Sequence, residues 1–165
     1  MGEKSKLLGE KYKIISVLKH NMEKEQDTNH SQVLTVRNTD MKFLVVDDER
    51  DVEMLFRQKF RKELRSGLIE LAFAFSGQAA LEHLENTQPP EVLYIFSDIN
   101  MPGMSGLQLL EKVKSQFPQI QVSMISAYGD DENYEKAINS GAKEFFTKPI
   151  DFSSLKQEVL QMLEE

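Results

Sequence analysis

Cysteine is absent from the 165 residues. That excludes disulfides, thiolate zinc sites and a cysteine nucleophile. No apolar run approaches the ~18 residues that a membrane-spanning helix needs. The opening MGEKSKLLGEKYK has neither a long apolar core nor a small-residue cleavage pattern, so it is not a secretory signal. These absences make the cytoplasm the expected compartment, with no membrane partner. Positive charge is also in short supply. Twenty Lys and Arg stand against 27 Asp and Glu, a net charge of -7 and a pI of about 5.1. A protein that grips nucleic acid directly presents a basic face, and this balance argues against one. There is no internal repeat and no low-complexity tract.

What is present suffices for a core. Apolar residues make up 40% of the chain and include ten Phe and four Tyr. At ~100–200 residues per domain, the length suits one domain with an appendage. The charge divides the same way. Residues 1–40 hold seven basic and six acidic residues, net +1, and residues 41–165 hold thirteen and twenty-one, net -8. The composition changes near Met41, after the polar stretch 20–40, so residues 1–40 read as an extension or linker and residues 41–165 as the folded domain. Within the extension, Leu8, Ile15 and Met22 recur every seven residues with Leu18 between them. Three positions are too few for a coiled coil. The segment reads either as a short helix that docks on the domain or on a second copy, or as a flexible leader. A monomer or weak dimer is expected. His20 and His30 have no third ligand nearby, so no metal site is expected there.

Beyond Met41, short apolar runs alternate with amphipathic stretches. Strands are expected over 43–46, 70–75, 92–97, 120–126 and 143–148. Helices are expected over 51–65, 76–86, 107–117, 131–140 and 152–163, with Gly141 stopping the fourth and Asp151 capping the fifth. Strict alternation of strand and helix implies a parallel sheet covered by helices on both faces. No output domain is expected after the fifth helix.

The residues that carry chemistry fall at the carboxyl ends of the strands: Asp47-Asp48-Glu49 after the first, Asp98 after the third, Ser126-Ala127 after the fourth and Lys148-Pro149 after the fifth. Taken singly, each has an ordinary reading. Asp47 and Asp48 could cap a helix, Asp98 could open a turn, Ser126 could end a strand and Lys148 could be solvated. Open parallel sheets bind ligands outside those ends, where the strand order reverses. A strand order of 2-1-3-4-5 would bring Asp47, Asp48, Asp98, Ser126 and Lys148 to one edge. Two carboxylates ~5 Å apart repel by about 3 kcal/mol at an effective dielectric near 20. The cluster therefore calls for a hard cation or for protonation, and oxygen ligands suit Mg²⁺. A carboxylate nucleophile beside Mg²⁺, a lysine and a hydroxyl donor suits phosphoryl transfer.

Four pieces, VVDDE (45–49), SDINMPGMSG (97–106), ISAYGD (125–130) and EFFTKPI (144–150), resemble the receiver domain of two-component response regulators, of the stand-alone chemotaxis-regulator type. The resemblance spans about Met41 to Glu165. It implies a flavodoxin-like, doubly wound five-stranded α/β domain. It implies that Asp98 is the phosphoacceptor, and that Asp47, Asp48, Asp98 and the main-chain carbonyl of Asn100 hold Mg²⁺. It further implies that Lys148 pairs with a phosphoryl oxygen and that Ser126 contacts the phosphoryl group and moves on activation. Phe145 would be the aromatic switch, Asn100 and Tyr128 would tune dephosphorylation, and the Lys148-Pro149 bond would be cis.

The implied function is phosphorylation on Asp98 from a phosphohistidine of a sensor histidine kinase, with self-catalysed dephosphorylation. The output would be a conformational signal to a protein target, with the helices over 131–140 and 152–163 as the partner face. Passage of the phosphoryl group to a histidine phosphotransfer protein is the competing role. A metal-dependent phosphatase would want a second carboxylate where this chain has Asn100.

Overall fold

The structure is a computed structural model that describes residues 41–87, 91–127 and 130–162. The extension over 1–40, with Leu8, Ile15, Met22, His20 and His30, lies outside the described residues, as does Tyr128.

Five strands form one sheet: β1 (Met41–Val46), β2 (Ile69–Ala74), β3 (Val92–Asp98), β4 (Gln121–Ala127) and β5 (Phe145–Lys148). Every neighbouring pair is parallel, and the order is β2-β1-β3-β4-β5. This is the doubly wound order expected from the motif positions. The helices among the described residues are α1 (Asp51–Lys59), α2 (Arg61–Arg65), α3 (Gly77–Glu85), α4 (Gly106–Gln116), α5 (Asp131–Asn139) and α6 (Phe152–Met162). None is long and apolar enough to cross a membrane.

Side chains along a strand alternate between faces, and here the alternation sorts them by type. Leu44, Val46, Ile95, Val122 and Met124 face a layer built by α3, α4 and α5, through Leu81, Leu84, Leu109, Leu110, Val113 and Ala137. Phe43, Val45, Tyr94, Phe96 and Ile125 face α1, α2 and α6, through Phe56, Phe60, Leu155 and Val159. One layer is mainly aliphatic. The other is dominated by rings, with Phe56 edge-on to Phe152 at 5.2 Å and Tyr94 4.7 Å from Phe96. Because both faces of β1 are covered, its sequence is apolar almost throughout.

The helix expected over 51–65 is two short helices. Phe60 leaves helical geometry (φ -99°, ψ 17°), although Phe60 N–H still donates to the Phe56 carbonyl and Leu64 N–H to that of Phe60. The Phe60 ring is buried among Phe56 and Phe152, and it stays in the core while the backbone adjusts around it. The expected caps are present. Asp151 accepts from Ser153 N–H at 3.0 Å. Gly141 at φ +94° ends α5, with Ala142 N–H reaching back to the Ala137 carbonyl.

Buried polar groups also tie α6 to the sheet. Tyr94 Oη hydrogen-bonds Ser123 Oγ and donates to Glu158, whose carboxylate is 3.0 Å from Lys143 Nζ. Burial pushes the Tyr94 hydroxyl well above its ordinary range. Lys156 on the same helix pairs with the buried Glu63 of α2 at 3.2 Å.

Candidate functional site

Strand β1 ends where Asp47 N–H donates to the Ala74 carbonyl of β2, which seats Asp47 in the groove between the strands. Its Oδ1 accepts from Glu49 N–H at 2.9 Å, leaving Oδ2 directed at Lys148. One strand over, Asp98 ends β3. The loop after it is closed tightly: Ile99 N–H donates to Ile125, and Gly106 N–H donates to the Ile99 carbonyl at 2.8 Å. A Cβ on Gly106 would lie 2.0 Å from the Asp98 carbonyl oxygen, so only glycine fits there. Ser105 then opens α4 with a capping box to Gln108.

These backbone restraints converge three carboxylates. One oxygen from each of Asp47, Asp48 and Asp98 lies within 4.8 Å of the others. Asp47 (5% exposed) and Asp98 (6%) are buried, and Asp48 faces solvent. Lys148, at the end of β5, places Nζ 3.3 Å from Asp47 Oδ2 and 3.5 Å from Asp98 Oδ1. The Lys148-Pro149 bond is cis.

Burial pushes the Asp98 carboxyl up from 3.8 to about 6, the nearby Asp47 charge pushes the same way, and Lys148 and the Ile99 N–H hold it back. Burial pulls Lys148 down, but Asp98 and Asp47 outweigh it and the net shift is upward. With Lys148 charged, the three carboxylates still leave two negative charges. Hard oxygen donors, their convergence and that residual charge fit a divalent cation that keeps much of its water.

Ser126 is fully buried at the end of β4. Its hydroxyl is not directed to the acidic cluster but donates to Asp130 Oδ2 at 2.7 Å. Asn133 Nδ2 donates to the same oxygen at 2.7 Å. Asn100 is exposed in the loop after β3. Phe145 is half-buried and meets Tyr134 of α5 edge-on at 5.3 Å.

A family model described as the response regulator receiver domain matches residues 43–160. The chain belongs to this family. Among relatives of the receiver, the response regulator RppA of Synechocystis sp. is 33% identical over 115 residues, covering 70% of this chain and 47% of that protein. Sporulation initiation phosphotransferase F of Bacillus subtilis is 30% identical over 122 residues, covering 74% of this chain and 93% of that protein. Among solved structures, the receiver domain of NtrX from Brucella abortus is 34% identical with a TM-score of 0.63, covering 74% of this chain and 98% of that one. The receiver matches less than half the length of several curated relatives. Receiver domains interact with histidine kinases and downstream targets, and they generally use Mg²⁺.

The structure thus brings Asp47, Asp48, Asp98 and Lys148 of the receiver together and sets Ser126 beside them with its hydroxyl engaged elsewhere. Asp130 closes the ISAYGD piece, and Asn133 and Tyr134 lie in the helix expected as the partner face, but none of the three carried a role of its own in the sequence. An acidic residue at a helix start is ordinary, and only the Ser126 side-chain direction picks Asp130 out.

Proposed function

We propose that this receiver is phosphorylated on Asp98 by a phosphohistidine of a sensor histidine kinase and signals through a conformational switch. The observation that carries the reading is the buried Asp98 carboxylate held against Lys148 beside two further aspartates. An Asp98 oxygen attacks phosphorus as the phosphorus–nitrogen bond to the histidine breaks, and the electron pair leaves with the imidazole. Lys148 offsets negative charge on the transferring group. Asp47, Asp48, Asp98 and the Asn100 carbonyl would hold Mg²⁺, which when bound supplies Lewis-acid stabilisation of the phosphoryl oxygens. Ser126 then donates to a phosphoryl oxygen and Phe145 packs inward, biasing α5, β5 and α6 toward a partner-binding state. Hydrolysis by the same site, with water as nucleophile, resets it.

In this reading residues 41–165 are the receiver, residues 1–40 are an extension, and the protein is cytoplasmic and a monomer or weak dimer that makes no direct contact with nucleic acid. A second role is transfer of the phosphoryl group onward to a histidine phosphotransfer protein. It is favoured by the similarity to sporulation initiation phosphotransferase F, almost all of whose length is matched. The test is intact mass after incubation with Mg²⁺ and acetyl phosphate. One Mg²⁺-dependent phosphoryl adduct is expected, absent from Asp98→Asn. Labelling that persists in the variant would overturn the assignment of Asp98. Transfer of the label to a histidine-containing partner would separate relay from switch.

A further inference from the structure

We infer that Asp130 is a positioning residue that latches the Ser126 hydroxyl away from the phosphoryl site in the resting protein, and that the first turn of α5 joins this latch to the Phe145 ring. The inference rests on the function proposed above, in which Ser126 donates to the phosphoryl group.

The geometry has three parts. Ser126 is fully buried, and a buried hydroxyl needs an acceptor. Its acceptor is a carboxylate at 2.7 Å, a charge-assisted bond and therefore stronger than one to a neutral group. A second donor, Asn133 Nδ2, fixes the same oxygen at 2.7 Å, so Asp130 is oriented rather than free to swing. Both hydrogen bonds hold the Asp130 carboxyl below its ordinary value, which keeps it a charged acceptor.

The turn carries the restraint further. Tyr134 N–H donates to the Asp130 carbonyl at 3.0 Å, and the Tyr134 ring lies edge-on to Phe145 at 5.3 Å. One helical turn thus touches Ser126 through Asp130 and Phe145 through Tyr134. A phosphoryl group on Asp98 must compete with Asp130 for one hydroxyl. When the phosphoryl group wins, Asp130 loses its buried donor, and the turn that carries Tyr134 loses an anchor. In a two-state protein, the apparent affinity of a ligand falls by the fraction of molecules in the competent state. The latch sets that fraction.

The test uses the full chain with beryllofluoride and Mg²⁺, a non-covalent stand-in for the phosphoryl group, titrated by ¹⁹F NMR. Asp130→Ala should bind about tenfold to a hundredfold more tightly than the wild type, the scale of one hydrogen bond to a carboxylate. Asp130→Asn keeps an oxygen that can accept from Ser126 but removes the charge, and it should fall between the two. It also serves if the alanine variant folds poorly. In a Ser126→Ala background, the gain from Asp130→Ala should vanish, because there is no hydroxyl to release.

An equal gain in that background would mean that Asp130 acts only by repelling the anion, and it would overturn the latch. No gain in either Asp130 variant, with a wild type that binds normally, would overturn the latch and leave the proposed function standing. A wild type that neither binds beryllofluoride nor takes a phosphoryl group from acetyl phosphate would overturn the proposed function, and the latch with it.

Discussion

Replacing Asp98 by Asn should make the metal-free protein more stable, by an amount that depends on pH. Asp98 is buried beside Asp47, and its carboxyl is pushed from 3.8 to about 6. A raised carboxyl means that the folded state prefers the protonated form. The stability tied to it is fully present below the unfolded value near 3.8 and is lost as pH rises through about 6. A shift of about two units is worth at most ~3 kcal/mol at ~1.36 kcal/mol per unit. Losing the 3.5 Å contact with Lys148 offsets part of this, although Lys148 keeps Asp47. The net expectation is ~1–2 kcal/mol in favour of Asp98→Asn above neutral pH, or roughly 3–8 °C in Tm. The assay is urea denaturation followed by circular dichroism in a chelating buffer, across about pH 4.5 to 8, where this linkage is expressed. The gap between variant and wild type should be small at the acid end, widen through about pH 6 and flatten above it. Added Mg²⁺ should then stabilise the wild type more than the variant, because a ligand stabilises whichever folded state binds it. A gap constant with pH, or a variant less stable than wild type at pH 8, would refute the reasoning.

Three further perturbations test other parts of the structure. Lys148→Met leaves Asp47 and Asp98 facing each other without their cation, so metal-free stability at neutral pH should fall by about 1–3 kcal/mol. Added Mg²⁺ should recover most of that loss in chemical denaturation. Gly106→Ala forces a methyl group onto the Asp98 carbonyl, and a loss of more than about 2 kcal/mol is expected in the same assay. Lys143→Met removes the cation paired with the buried Glu158, and about 1–3 kcal/mol of stability should go with it. Hydrogen exchange should report that loss most strongly along α6, the helix that carries Glu158.

The strands were legible because each is a short apolar run that stops at a charged or turn-forming residue, as FLVV stops at Asp47 and Asp48. The acidic cluster was legible for the same reason: in a parallel sheet, residues that end strands meet at one edge, whatever their separation in sequence. Lys148 followed from its place before Pro149. Three features were not legible. The break at Phe60 depends on a ring wedged among Phe56 and Phe152, contacts that helical periodicity does not encode. The division into an aliphatic and an aromatic layer depends on which helices cover which face. The direction of the Ser126 hydroxyl is a choice between two acceptors, settled by a carboxylate four residues away whose own orientation needs Asn133.

The contact between Asp47 and Lys148 joins residues 101 positions apart. Few of the chain's local pieces contain any two members of the acidic site, and none contains all of it. A nascent or nicked chain could fold a helix or pair two strands and still lack the site altogether. The cost of closing so long a loop rises only slowly with its length, so the assembled state is thermodynamically accessible, but its long-range contacts form slowly. A ligand that needs Asp47, Asp98 and Lys148 together therefore reads the pairing of β1, β3, β4 and β5. A signal carried on that site would be withheld from any form of the protein in which those strands are not yet paired.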